Sequence, residues 1–223
     1  MDTNHELGLE IHKLLQKNGL ENPINWQSID LWQDNKHIKK LEDKLTDFIE
    51  LLGLNLSDSS LSKTPCRMVK LFLEDLFWGL DYHNFPEVTL QCNTAAYISP
   101  LVSKDIQLKS TCEHHFVAIT GYVTIAYIPD GKIIGLGKLN QIVNFFASRP
   151  QLQERLTRQI NIVLQYLLET ADIAVAIAAR HDCINRGCVK DTANEILSFD
   201  FGGKFLSDNV LNSNFYSLSK RSS

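Results

Sequence analysis

Cysteine and histidine side chains at two points of the chain provide its most reactive functional groups. A Cys-Glu-His-His sequence begins at Cys112, and a His-Asp-Cys sequence ends at Cys183. Zinc prefers thiolate and imidazole ligands in tetrahedral geometry, and a site with three protein ligands leaves a fourth position for water. We therefore predict a hydrolytic zinc site formed by Cys112, His115 and Cys183. His114 and His181 are expected beside it as acid/base groups that do not bind the metal.

The cysteine count favours a metal site over a disulfide framework. The five cysteines are an odd number, and cytosolic cysteines near histidines are more often metal ligands or catalytic groups than disulfide partners. Adjacent histidines are common on surface turns, so His114 and His115 alone are weak support, and the second cluster strengthens the metal interpretation. Cys188 could complete a closed four-ligand site, but we expect it to be a free thiol.

Composition is typical of a cytoplasmic enzyme. With 223 residues, 44% of them hydrophobic and 22% charged, the chain can bury one substantial core and a smaller appendage. Its first residues do not resemble a signal peptide and no segment approaches membrane-spanning length, so we expect a cytoplasmic protein without a membrane partner. The net charge of −4 argues against nucleic acid as the main partner, although an anionic substrate could bind in a locally basic pocket.

Apolar residues at helical spacing predict helices in the first part of the chain. Three apolar faces are Leu7, Ile11, Leu14 and Leu15; Ile38, Leu41, Leu45, Phe48, Leu51 and Leu52; and Val69, Phe72, Leu73, Leu76 and Leu80. Residues 22–35 form a polar connection between the first two. The third helix is expected to begin with Thr64 as its cap and Pro65 in its first position. Arg67 and Lys70 lie in its opening turns, where the helix dipole disfavours cations, so they either bind an anion or are ordinary solvated charges.

From about residue 100 the apolar pattern alternates as in a β-strand. A strand at residues 117–127 ends in a Pro-Asp-Gly turn that leads into Ile133 and Ile134, which predicts a β-hairpin. Helices are expected at residues 138–147 and after Pro150, followed by strands before His181 and at residues 196–201. The fold class is therefore α+β, with a four-stranded antiparallel sheet in the order ββααββ and helices on one face. The other face and the edges need cover, which oligomerisation could provide.

Six motifs carry a resemblance to the GTP cyclohydrolase I family, of the tunnelling fold, between residues 54 and 205. They are Thr64-Pro65-x-Arg67, Gly79-Leu80-Asp81-Tyr82, Ser110-Thr111-Cys112-Glu113-His114-His115-Phe116, Ala126-Tyr127-Ile128-Pro129, Gly135-Leu136-x-Lys138 and Arg149-Pro150-Gln151-x-Gln153-Glu154-Arg155-Leu156-Thr157. The apolar spacing predicts an N-terminal helical region at residues 1–85, and the resemblance implies a tunnelling-fold catalytic domain at residues 86–205. We expect residues 206–223 to be a tail, since they are rich in Ser and Asn.

The resemblance also implies an activity and an assembly. Members of the family use zinc to hydrolyse GTP to 7,8-dihydroneopterin triphosphate and formate, and they form a toroidal homodecamer with active sites between subunits. Carried over to this sequence, the guanine-recognising residues are Gln153 and Glu154, and the triphosphate is held by Arg67, Lys138 and Arg186. Glu154 also has an ordinary interpretation, as a carboxylate in the first turn of its helix.

The chain departs from the family pattern at four places, which we expect to lie opposite the metal. Gly137 replaces a serine and Gln141 an arginine, Arg186 follows Cys183 one residue early, and a Ser/Thr-rich strand is replaced at residues 194–201. Losing the arginine removes a bidentate contact with phosphate.

Three interpretations remain open from the sequence. The first is the complete cyclohydrolase reaction. The second is a divergent enzyme that uses another purine nucleotide or stops at the ring-opened intermediate. The third is a catalytically silent, zinc-binding regulatory subunit, which the presence of His114, His181 and Glu154 disfavours.

Overall fold

Helices occupy the N-terminal part of the chain in a computed structural model that describes residues 2–187, 190–191 and 193–220. They are α1 (His5–Lys17), α2 (Trp26–Ile29), α3 (Asn35–Leu51) and α4 (Thr64–Lys70). The Asn4 side chain caps α1 by accepting a hydrogen bond from the Leu7 amide, and the Asp34 side chain caps α3 in the same way. In the described part of the chain, no helix is both long and apolar enough to cross a membrane.

The start of α4 differs from the prediction. Lys63, not Thr64, is the N-cap residue, and Thr64 is already helical, so its hydroxyl does not cap the helix. Pro65 is buried in the first turn, as expected from its fixed φ. The helix does not run on regularly to Leu80, because it changes to a π-helix at Leu71–Leu76 and then to short 3-10 turns.

Five strands form the main sheet, in the spatial order β5-β2-β3-β6-β7. The strands of the protein are β1 (Leu90–Cys92), β2 (Leu101–Cys112), β3 (Ala118–Tyr127), β4 (Lys132–Ile134), β5 (Pro150–Gln151), β6 (Ile173–His181) and β7 (Ile196–Phe201). The expectation of four antiparallel strands was therefore incomplete, because Pro150 and Gln151 add a short fifth strand that runs parallel to β2.

The hairpin predicted at the Pro-Asp-Gly turn is wrong. Ile133 and Ile134 do not pair with β3 but with β1, in a separate two-stranded sheet. The physical reason is that both edges of β3 are already occupied, by β2 on one side and by β6 on the other. The hairpin of this region is formed by β2 and β3.

Two long helices, α5 (Leu136–Ala147) and α6 (Gln153–Leu168), pack on one face of the main sheet. Their apolar side chains and alternate residues of β6, such as Val175 and Ile177, form the largest core cluster. Because side chains alternate across a strand, the intervening alanines of β6 face the other side of the sheet.

The C-terminal segment, expected to be a tail, is helical over its described part. Helices α7 (Gly203–Ser207) and α8 (Asn209–Ser219) follow β7, and the Asp208 side chain caps α8. Phe205 and Phe215 are buried against Ala174 and Ala176 of β6, on the face opposite α5 and α6. The small alanine side chains leave room for these rings, so the segment packs on the sheet despite its polar composition.

A buried arginine joins the N-terminal helices to the main domain. The side chain of Arg149 is fully buried and donates to the carbonyl of Gly79, to the hydroxyl of Tyr82 and to Asn22 Oδ1. Burial raises the pKa of the Tyr82 phenol, which remains protonated and donates to Glu21 over 2.7 Å. The Arg149 Nε atom has no hydrogen-bond partner among the described residues, but the bonds of its two terminal nitrogens join the chain on both sides of α2 to the domain.

The half-buried carboxyl of Asp200 on β7 allows a test of how β7 packs in the domain. Burial raises its pKa, and nearby Arg158 only partly opposes this effect. A carboxyl group whose pKa is higher in the folded state stabilises the fold at pH values below its unfolded-state pKa of ~3.9, where it is protonated. This stabilisation is lost as the pH rises through the folded-state pKa. We therefore expect Asp200→Asn to raise the melting temperature at pH 7, with a smaller gain near pH 4. Thermal unfolding at both pH values checks this, with the exposed Asp130→Asn as control; an unchanged or lower melting temperature at pH 7 contradicts it.

Candidate metal centre and active site

The register of three strands brings the two cysteine and histidine clusters to one end of the sheet. β2 and β6 both run antiparallel to β3, so their final residues lie on either side of the beginning of β3. Ile119 of β3 pairs with His181, the last residue of β6, and Ala118 pairs with Thr111 beside Cys112. Cys183 follows β6 directly. Two clusters that are far apart in the sequence therefore meet at one point.

Cys112, His115 and Cys183 form a group that could hold a metal ion. Their ligand atoms all lie within 4.8 Å of one another, and Cys112 is buried while His115 is exposed. Tetrahedral zinc bonds to sulfur and nitrogen place ligand atoms about 3.5–3.8 Å apart, so a contraction of about 1 Å would close the group around an ion. Two sulfurs and one imidazole nitrogen are a donor set suited to zinc.

The electrostatics of the two thiols also fit a cation. Burial raises the pKa of the Cys183 thiol, and the neighbouring Cys112 raises it further. Two adjacent thiolates would repel one another in the absence of a positive charge. Because thiolate is the form that binds metal, a divalent cation between the sulfurs removes this penalty.

His114 lies in the same turn as the predicted ligands but lines a separate cavity. This cavity has a volume of about 510 Å³, and its wall also includes Glu113, Phe116, Leu80 and Trp32. The rings of His114 and His115 are 6.3 Å apart and nearly perpendicular. The turn thus presents His115 towards the cysteines and His114 towards a cavity.

His181 is held by the side chain of Gln153. Its Nε2 atom lies 2.8 Å from Gln153 Oε1. The Gln153 amide nitrogen donates to the carbonyls of Ile177 and Ile196 and to the Ser198 hydroxyl, so Oε1 is the acceptor for His181. His181 Nε2 therefore carries a hydrogen, and in the neutral ring Nδ1 is the basic atom. Burial lowers the pKa of His181, and the carboxylate of Glu154 partly opposes this.

Comparison with known proteins then identifies the family. A family model described as GTP cyclohydrolase I matches residues 41–220. The chain belongs to the GTP cyclohydrolase I family. A Histophilus somni protein named GTP cyclohydrolase 1 is 42% identical over 214 residues, covering 96% of each chain. A protein of that name from Tolumonas auensis is 44% identical over 207 residues, 93% of this chain and 94% of that one. Another, from Yersinia enterocolitica, is 44% identical over 197 residues, 88% of each.

The family match shows that the chain is an enzyme. The matched residues include every residue predicted for its site. The matched residues begin within α3 and end just after α8, so α1 and α2 precede them. Cys188 lies outside the described residues, as do Val189 and Thr192.

The three cations that the GTP cyclohydrolase I resemblance assigns to the triphosphate come from different parts of the fold. Arg67 is exposed on α4, and Lys138 lies in the first turn of α5. Arg186 follows Cys183; its side chain is 84% exposed and 3.8 Å from Asp182. Within the described residues, neither Arg67 nor Lys138 has an acidic partner, so both are available to an anion.

The side chain of Gln153 makes hydrogen bonds to β6, β7 and His181. Its role in guanine recognition stays a prediction. Glu154, the next residue, is exposed and lies close enough to His181 to affect its pKa.

One contact next to the candidate site was missed from the sequence. Glu113 and Arg155 form an ion pair between the turn that follows Cys112 and the start of α6. Both belong to the family motifs, but nothing in their spacing indicates that they touch.

Proposed function

We propose that the protein is a zinc-dependent GTP cyclohydrolase I, which opens the guanine imidazole ring of GTP at C8 and yields 7,8-dihydroneopterin triphosphate and formate. The observation that carries the proposal is the convergence of Cys112, His115 and Cys183 in a chain of this family. The relatives at 42–44% identity that bear the name GTP cyclohydrolase 1 support the substrate. Bound at this site, zinc supplies Lewis-acid chemistry and lowers the pKa of water.

The residues of the chain provide binding and proton transfer. His181, with Nε2 bound by Gln153, offers Nδ1 as a proton acceptor, and His114 faces its cavity as a second acid/base group. Glu154 pairs with the N–H donors of guanine and rejects adenine, since adenine would leave its charge without a partner. Arg67, Lys138 and Arg186 bind the triphosphate.

The proposal includes an assembly. The edge of β2 beyond its short pairing with β5 is available to neighbouring subunits, as are the exposed apolar side chains of Leu51 and Leu52 at the end of α3. We infer a cytoplasmic, toroidal homodecamer of tunnelling-fold domains in which neighbouring chains complete the nucleotide site. Neither nucleic acid nor membrane is a partner in this proposal.

The decisive experiment incubates purified zinc-loaded protein with GTP and follows formate and pterin fluorescence separately. Stoichiometric formate and pterin support the complete reaction. Formate without pterin indicates an enzyme that stops after ring opening, and the absence of both products with bound zinc indicates a silent homologue.

A variant of the α5 region tests the consequence of the family departures. An added side chain at Gly137 would meet no atom within 4 Å, and Gln141 Oε1 is buried without a hydrogen-bond partner among the described residues. A serine at position 137 therefore fits without a clash, and Gln141→Arg restores the cation of the family pattern. We expect it to improve GTP binding by about 1–3 kcal/mol, as for a hydrogen bond to a charged group, or to increase conversion to pterin.

The measurement compares GTP and GDP affinity together with both products. Gly137→Ala combined with Gln141→Met is the matched control, because it adds bulk without a hydroxyl or a charge. If the restored variant binds GTP no better and forms the same products, the departures are neutral and the unmodified pocket is sufficient.

A further inference from the structure

A part-buried ion pair connects the turn at residues 113–116, which carries the predicted ligand His115 and is called the metal-ligand turn, to α6. The Arg155 guanidinium contacts the Glu113 carboxylate through Nη2, and the exposed fractions of the two side chains are 14% and 23%. Arg155 also donates to Gln151 Oε1 over 3.2 Å and to the Pro150 carbonyl over 3.3 Å. The guanidinium therefore joins the turn, β5 and the first turn of α6 at one point.

The position of Arg155 is fixed by groups behind it. The Gln151 side-chain nitrogen donates to the Phe146 carbonyl over 2.7 Å and to Gln159 Oε1 over 2.8 Å. This orientation leaves Gln151 Oε1 as an acceptor for Arg155. The backbone carbonyl of Gln151 accepts from the Glu113 amide over 3.1 Å. Glu113 is thus attached to β5 through its backbone and to Arg155 through its side chain.

The turn also has bonds of its own, since the Phe116 amide donates to the Cys112 carbonyl over 2.9 Å and the Phe116 ring lies edge-on to Phe77. The side chains of His114 and His115 are exposed, so they add little packing. Phe116 has a φ of 52°, a left-handed conformation that is unfavourable for an aromatic residue. A turn that contains such a strained residue depends on the bonds around it to keep one conformation, and the bonds of Glu113 to β5 and Arg155 are among them.

We propose that Arg155 is a positioning residue for the metal-ligand turn. By fixing Glu113, the residue that follows Cys112, it orients the backbone that carries Cys112 and His115 towards Cys183, and it pairs a part-buried carboxylate that would otherwise have no cation. The inference rests on the metal site of the proposed function. Arg155 would act on residues next to the ligands and not on the metal itself. Losing such a contact lowers metal affinity although all ligands remain.

The experiment uses Co²⁺ as the probe in the full-length protein. Its visible bands report ligand geometry, and its thiolate charge-transfer bands report binding to cysteine. We expect Arg155→Met to weaken Co²⁺ binding by about 10–100-fold and to shift the visible bands. Arg155→Lys, which keeps the charge but loses the planar fork, should recover part of the affinity. Arg158→Met, at an exposed arginine of the same helix, is the control and should bind as the unmodified protein does.

Glu113→Gln serves as an independent variant, since it keeps the size of the side chain and removes only its charge. We expect it to weaken Co²⁺ binding in the same direction, and adding Arg155→Met to it should weaken binding little further. If Arg155→Met does not fold, Glu113→Gln decides. Unchanged Co²⁺ affinity and bands in the folded Arg155 and Glu113 variants would overturn the inference. Failure of the unmodified protein to show thiolate bands with Co²⁺ would instead overturn the metal site on which the inference rests.

Discussion

Replacing either cysteine of the predicted metal site by alanine is expected to remove both bound zinc and GTP turnover. Cys112 and Cys183 supply two of the three ligand atoms that lie within 4.8 Å of one another. With one sulfur gone, only two protein ligands remain, which is fewer than hydrolytic zinc sites use. Zinc content by atomic spectroscopy and formate release measure the two effects, with about one zinc per chain expected in the unmodified protein.

Cys92→Ala provides the matched control, because Cys92 is an exposed free cysteine on β1 and is not among the residues assigned to the site. It should retain zinc and activity. Full zinc occupancy together with normal turnover in Cys112→Ala or Cys183→Ala would exclude these sulfurs as ligands.

Alanine at His114 or His181 is expected to lower turnover by roughly 10²-fold or more while zinc content remains near normal. Three other side chains form the group that could hold the ion, whereas His114 lines the neighbouring cavity and His181 Nε2 is hydrogen-bonded to Gln153. Removing either ring therefore removes a proton-transfer group without opening the metal site. Steady-state rates and zinc analysis of the same preparations test this.

His115→Ala gives the informative contrast, since it stands next to His114 but should lose zinc. His37→Ala, on α3, should change neither quantity. Loss of zinc in step with activity in the His114 or His181 variants would make those residues ligands rather than acid/base groups.

Regular apolar spacing was sufficient to predict most helices and the later strands. Apolar spacing indicated the buried face of α1, and the alternation in β6 indicated a strand before His181. The face predicted for α3 was wrong at its end, because Phe48, Leu51 and Leu52 are exposed while Ile49 is buried. β2 was missed because its alternation is interrupted. A bulge between Ser103 and Ile106 shifts the register, and Asp105 there has a φ of 58°, so the apolar residues before and after the bulge are out of phase.

Ligand types and spacing could identify the candidate site, but not the bonds that support it. Cysteine and histidine stand out in a sequence because few other roles require them together. The roles of Gln153 and Arg155 depend on which groups happen to lie beside them, namely the carbonyls of β6 and β7 for one and the carboxylate of Glu113 for the other. Such contacts follow from the assembled fold, and a single sequence carries no periodicity that marks them.

Because the predicted ligands come from two distant segments, bound metal would also affect how long the folded protein resists unfolding. A cation held by both Cys112 and Cys183 turns the intervening segment, with β3, α5, α6 and β6, into a closed loop. Closing a long loop reduces the freedom of the unfolded chain. If the ion binds only the folded protein, each tenfold excess of free zinc over its dissociation constant adds about 1.4 kcal/mol to the free energy of unfolding. The zinc supply of the cell would then govern how long each molecule survives proteolysis, as well as how fast it works.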